Sequence, residues 1–174
     1  MRSVFVMAMI SAPALLPAQS GNQPSILFSA GPTYVAGAAS DWSGTGYNIQ
    51  VGKEFGHLGP AVFRADALYL QRSGNGATLS EGTQRTYALA GSIVLRNSGK
   101  LFAPFASVGL GLYGDNSYTV YTPGINAGLG LDASVAGVHF FAESRVHQYL
   151  PDARTVPHPG HGVTLVPLSF GLRF

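Results

Sequence analysis

The chain has 174 residues, enough for one domain and too short for a comfortable two. Hydrophobic residues make up 46% but charged ones only 10%, with a formal net charge of +2; an average soluble domain is roughly 25% charged, so this composition argues against a disordered chain and, with its basic residues scattered singly, against an electrostatic nucleic-acid footprint. There is no cysteine to build a disulfide framework, a thiolate metal site or a thiol nucleophile, and the 23 glycines follow no collagen period.

The first segment reads as an export signal. Arg2 supplies the positive start, Val4 to Ile10 a short apolar core that continues past Pro13, and Ala18-Gln19-Ser20 small residues at the cleavage-determining positions. The expected division is therefore 1–20 as signal peptide and 21–174 as the mature domain. No later stretch offers 18 strongly apolar residues of helix-forming type, so a membrane role would have to be played by strands.

From there the chain alternates with period two almost throughout. Eight runs are expected as strands, at about 26–34, 45–55, 60–72, 84–96, 101–113, 124–133, 138–149 and 163–174. In the second, Tyr47, Ile49 and Val51 oppose Asn48, Gln50 and Gly52. In the fourth, Val94 alone breaks the polar face. In the sixth, Ile125, Ala127, Leu129 and Leu131 oppose Asn126, Gly128, Gly130 and Asp132. In the last, Val166, Leu168, Phe170, Leu172 and Phe174 oppose Pro167, Ser169, Gly171 and Arg173. Connections alternate between long ones (35–44, 73–83, 114–123, 150–162) and short ones (56–59, 97–100, 134–137).

An even number of strands near ten residues long, with short turns alternating with longer loops, is the pattern of a transmembrane β-barrel. Hydrocarbon cannot hydrogen-bond backbone groups, so a sheet in a membrane must close on itself. The expected fold class is all-β: an eight-stranded antiparallel transmembrane β-barrel with short periplasmic turns and longer extracellular loops. Glycines such as Gly109, Gly111, Gly128, Gly130 and Gly171 then line a narrow interior where large side chains would crowd. Tyr47, Tyr69, Tyr87, Phe102, Phe140 and Phe174 stand near strand ends, where aromatic girdles lie.

Three stretches carry a resemblance: Ala103-Pro104-Phe105-Ala106-Ser107-Val108-Gly109-Leu110-Gly111; Gly124 to Leu131 followed by Phe140 to His147; and the terminal Val166 to Phe174. Over the mature chain the sequence resembles the small bacterial outer-membrane β-barrel proteins, the broad group that includes OmpX, OmpW and the OmpA barrel. The resemblance implies a porin-like location in the outer membrane of a Gram-negative bacterium, contact with outer-membrane lipids and a monomeric barrel without a cofactor. It also implies that Phe174, with Phe170 and Leu172 on the same face, is presented to the outer-membrane barrel assembly machinery.

Alternation directs Glu54, Arg64, Asp66, Arg96, Asp132, Glu143, Arg145, His147 and Arg173 inward. Their charges nearly balance, and buried charges must be paired and hydrogen-bonded. They are expected to form a polar network that fills the lumen, giving a non-enzymatic barrel with a structural or surface-interaction role. A narrow channel or carrier of small hydrophobic molecules is an alternative. So is a lipid-modifying acyl hydrolase, for which Glu143, Ser144 and His147 are the nearest set, although alternation puts Ser144 on the opposite face. A soluble lipocalin-like barrel would turn its apolar faces inward instead. In the last long loop, His158 and His161 are three apart but lack a nearby carboxylate partner, and Trp42 sits in a loop; no metal site, catalytic residue or cofactor-binding residue is assigned.

Overall fold

The computed structural model describes residues 25–36, 43–74, 83–97, 102–115, 121–149 and 162–174. They form eight strands: β1 (Ile26–Ala36), β2 (Ser43–Leu58), β3 (Ala61–Gly74), β4 (Thr83–Arg96), β5 (Phe102–Asp115), β6 (Thr122–Val135), β7 (Val138–Tyr149) and β8 (Val163–Arg173). Each pairs antiparallel with its sequence neighbours, and β1 pairs with β8, so the sheet is a closed barrel with no free edge. The ends of the sheet are joined by reciprocal bonds, Ile26 N–H to the Phe174 carbonyl at 3.0 Å and Phe174 N–H to the Ile26 carbonyl at 2.9 Å.

Period-two alternation becomes an inside and an outside. Outward positions such as Ile49, Leu89, Leu110, Ile125 and Leu129 are exposed apolar side chains, whereas Arg64, Asp66, Glu143 and Arg145 are buried within the barrel. This is the reverse of a soluble barrel and the arrangement expected of a wall that faces hydrocarbon. Val94, the apolar residue on an otherwise polar face, is fully buried and packs with Leu27, Val62, Phe105 and Phe141 inside the turn-side half. A second apolar group, including Leu68, Leu70, Tyr113, Tyr149 and Leu165, fills the half nearer the long connections.

Several strands run further than their hydrophobic pattern, β2 and β5 with the most consequence. The expected 56–59 turn is largely strand: β2 continues to Leu58, with a bulge between Phe55 and His57 where the register against β3 shifts. Gly56, at φ 68°, supplies the left-handed backbone that the bulge needs. Likewise β5 extends to Asp115, inside what reads from the sequence as a loop. At the β6–β7 turn both Ala136 (φ 51°) and Gly137 (φ 82°) are left-handed, as in a type I′ hairpin.

The β1–β8 seam has a local break. Its register runs from Leu27↔Arg173 to Ala30↔Phe170, then resumes at Thr33↔Pro167 in the same alignment, skipping the level of Pro32. The β7–β8 ladder also skips pairs beside Pro167, between Ser144↔Leu168 and His147↔Leu165. Proline has no N–H to give a ladder. Side chains repair the gap: Asn48 Nδ2 donates to the Gly31 carbonyl at 2.9 Å and the Pro32 carbonyl at 3.1 Å, and Ser169 Oγ donates to Asn48 Oδ1 at 2.8 Å.

Candidate functional site: the charged interior

The interior charges fall into layers set by the strands that carry them. At mid-height, β3 presents Arg64 and Asp66 and β7 presents Glu143 and Arg145. These strands lie four apart in an eight-stranded ring, so they face each other across the lumen. They also run in the same direction, and their sign order is opposite: Arg-x-Asp meets Glu-x-Arg. Arg64 Nη2 donates to Glu143 Oε1 at 2.8 Å, and Arg145 Nη1 donates to Asp66 Oδ2 at 2.8 Å. Within each strand the pair also closes, Arg64 Nε on Asp66 at 3.1 Å and Arg145 Nη2 on Glu143 at 2.9 Å. The result is a square of alternating charge. Gln50 Nε2 donates at 2.8 Å to Asp66 Oδ1, the oxygen the guanidinia leave, and Ser107 Oγ adds a further bond to Glu143 Oε1 at 3.0 Å. Gly128 makes room for this square, since a Cβ there would lie 2.8 Å from Ser107 Oγ and 3.1 Å from both Arg145 Cγ and Glu143 Oε1.

Toward the short turns lies a second ring, with one charge from each of β2, β4, β6 and β8: Glu54, Arg96, Asp132 and Arg173. Arg96 binds Glu54 and Asp132, each at 2.7 Å. Arg173 pairs with Asp132 and reaches Glu54 at 3.9 Å, closing the ring. Ser25 Oγ adds a bond to Glu54 at 2.9 Å, and the Arg96 guanidinium lies 5.8 Å from the centre of the Phe105 ring.

The structure thus brings eight of the nine inward candidates into two neutral clusters. His147 stands apart. It is buried, but its Nδ1 shares a 2.8 Å hydrogen bond with Tyr113 Oη, and the two rings meet edge to face. A third pair is not apparent from the sequence: Arg72 on β3 lies 3.9 Å from Asp115 on β5, with Thr86 Oγ1 accepting from Arg72 Nη2 at 3.3 Å. The inward face of β3 continues to Arg72, and β5 extends far enough to bring Asp115 to it. Ser92 and Asn126 meet at 3.3 Å on the polar face between the layers.

The hydrolase geometry does not assemble among the described residues. Ser144 faces outward, whereas Glu143 and His147 are buried inside. Ser134 Oγ and His139 Nδ1 lie 2.7 Å apart, but at the short β6–β7 turn, where no ion pair among the described residues joins His139 to a carboxylate. No group of three or more His, Cys, Asp or Glu converges among the described residues. Trp42, His158 and His161 lie outside them, as does the 1–20 segment. Of the terminal residues, Phe170 and Phe174 are exposed on the outer wall, and Phe174 meets Phe28 edge to face at 6.3 Å.

No protein-family model matches the chain, and no curated protein matches it in sequence. Solved structures do match in shape. Neisserial surface protein A superposes with a TM-score of 0.63 at 15% identity, covering 86% of this chain and 95% of that one. Ail, the attachment invasion locus protein of Yersinia pestis, gives 0.53 at 13%, covering 87% and 97%. The outer membrane enzyme PagL gives 0.50 at 16%, covering 86% and 98%. At these identities the likeness is one of fold: the chain is an eight-stranded antiparallel barrel of the kind found in small outer-membrane proteins.

Proposed function

We propose that this protein is a non-enzymatic barrel of the cell outer membrane, monomeric, exported by its 1–20 segment and inserted by the barrel assembly machinery through its Phe170–Phe174 end. Its lumen is plugged by the two ion-pair layers, and its longer connections present the surface that meets partners outside. The observation that carries this reading is the sorting of charge. Of the twelve charged residues among those described, ten face inward as five arginines and five carboxylates, and the remaining two, Lys53 and Arg85, face outward. A balanced set of charges inside an apolar wall suits a membrane barrel closed by side chains, whereas a conducting pore of this width would need an open polar path. The likeness to Neisserial surface protein A and Ail supports a barrel of this architecture. The fold shared with PagL shows that the scaffold can also carry an enzyme, but Ser144 points away from Glu143 and His147, which speaks against those three acting as a hydrolytic set.

Cell fractionation tests the location: the protein is expected in the detergent-soluble outer-membrane fraction, and recovery as a soluble periplasmic protein would refute the reading. Planar-bilayer recording of refolded barrel tests the plug. Silence at moderate voltage is expected, and steady discrete conductance would contradict it.

A further inference from the structure

The outer wall is chemically divided along its height. Among the described residues of the outer wall, every phenylalanine lies in or beside the half of its strand nearer the short turns, and every tyrosine in or beside the half nearer the long connections. A phenyl ring has no need of water, while a tyrosine hydroxyl seeks a hydrogen-bond partner at headgroup level. On β2, β3 and β4 three tyrosines form a continuous outward row, with ring centroids 6.2 Å apart for Tyr47–Tyr69 and 5.4 Å for Tyr69–Tyr87. Tyr47 Oη and Tyr69 Oη both donate to Gln71 Oε1, at 3.1 Å and 2.8 Å. With its carbonyl so occupied, Gln71 keeps its amide N–H groups as donors. Its cross-strand neighbour on β4 is Arg85, an exposed cation on the outer wall. At comparable height on the far side, the outer wall carries Leu112, Ile125 and Val146 beside Gln148, with no outward cation among the described residues.

We infer that the Tyr47–Tyr69–Tyr87 shelf, with Gln71 and Arg85 at its upper edge, is a docking surface for the headgroup of a phosphorylated glycolipid in the outer leaflet. A guanidinium and an amide N–H donate to phosphate oxygens, and charge assistance makes such bonds strong. A shelf of polar-tipped aromatic rings across three strands suits a sugar ring better than a single small headgroup. The inference rests on the outer-membrane reading above, which places the long-connection end in that leaflet.

The test is lipid retention. Full-length mature barrel is refolded in nanodiscs of zwitterionic phospholipid containing diphosphorylated lipid A, dephosphorylated lipid A or phosphatidylglycerol, then extracted gently and weighed with its bound lipid by native mass spectrometry. Diphosphorylated lipid A is expected to be retained selectively. Arg85→Gln should reduce that retention about tenfold, the loss of one charge-assisted hydrogen-bonding group, while Lys53→Gln, which removes the outward cation of the other end, should leave it unchanged. Equal retention of phosphatidylglycerol or of the dephosphorylated lipid, an unaffected Arg85→Gln variant, or an equal loss in Lys53→Gln would each overturn the inference. Heat-dependent gel mobility and protease protection of the same samples report insertion independently. An inserted barrel without lipid preference defeats only the docking surface; a barrel that does not insert defeats the membrane reading as well.

Discussion

Arg64 and Glu143, 79 residues apart in sequence, meet across the lumen with Arg64 Nη2 donating to both carboxylate oxygens at 2.8 Å and 3.1 Å. The bond ties β3 to the strand diametrically opposite it, and its counterpart Arg145–Asp66 does the same in the reverse sense. Neither strand pairs with the other in the sheet, so this link braces the ring across its width rather than around its rim.

The first prediction concerns that brace. Arg64→Met leaves Glu143 and Asp66 with one guanidinium between them, and removing one partner of a buried pair typically costs about 3–5 kcal/mol. The double variant Arg64→Met/Glu143→Met leaves Asp66 and Arg145 as a neutral pair and should cost less than Arg64→Met alone. Urea unfolding of the variants in lipid vesicles measures this. Strictly additive losses would show that the four charges do not act as a unit.

Asn48 should matter more than its size suggests. Asn48→Leu removes the donor that serves the Gly31 and Pro32 carbonyls and leaves Ser169 Oγ without its acceptor. Each buried polar group so stranded costs about 1–3 kcal/mol. The expected signature is local: faster amide hydrogen exchange in β1 and β8 than in β3 and β4. Uniform acceleration around the barrel would argue that the seam is not a separate weak point.

Ala136 offers a stabilising change. Its φ of 51° places a side chain in the left-handed region, where most residues pay roughly 1 kcal/mol and asparagine is better tolerated. Ala136→Asn should therefore raise the unfolding midpoint in urea at an unchanged m-value, and a lowered midpoint would mean that the turn has other constraints.

Phe174 is outward, so its loss leaves the lumen intact. Phe174→Ser should slow insertion into proteoliposomes carrying the barrel assembly machinery by more than it slows spontaneous refolding in detergent. Equal slowing in both would reduce its role to the ring contact with Phe28.

Much of this architecture is legible because a membrane barrel imposes the simplest of periodicities. Alternation is enough to send Arg64, Asp66, Glu143 and Arg145 to one side of the wall and Ser144 to the other. What alternation does not contain is which inward charge meets which. Glu54 and Arg64 are direct cross-strand neighbours, yet Glu54 binds Arg96 and Arg64 binds Glu143, because guanidinium reach and the geometry of the closed ring decide the partner. His147 shares a face with the charges, but height along the strand places it beside Tyr113. The bulge at Gly56 is hidden because Gly-His-Leu-Gly has turn composition, and Asp115 because a polar residue after Gly114 reads as the start of a loop.

Pro32 at the seam carries a consequence for the moments before the ring is complete. Until β1 meets β8, both terminal strands present unpaired backbone groups that could recruit a neighbouring chain. Pro32, at the level the seam skips, interrupts the β1 edge, so that edge offers no unbroken template to a stranger. Within one chain, the Asn48 amide serves the Gly31 and Pro32 carbonyls at that break, and Ser169 holds the amide in place. Closure is therefore favoured with the chain's own other end over joining a second copy.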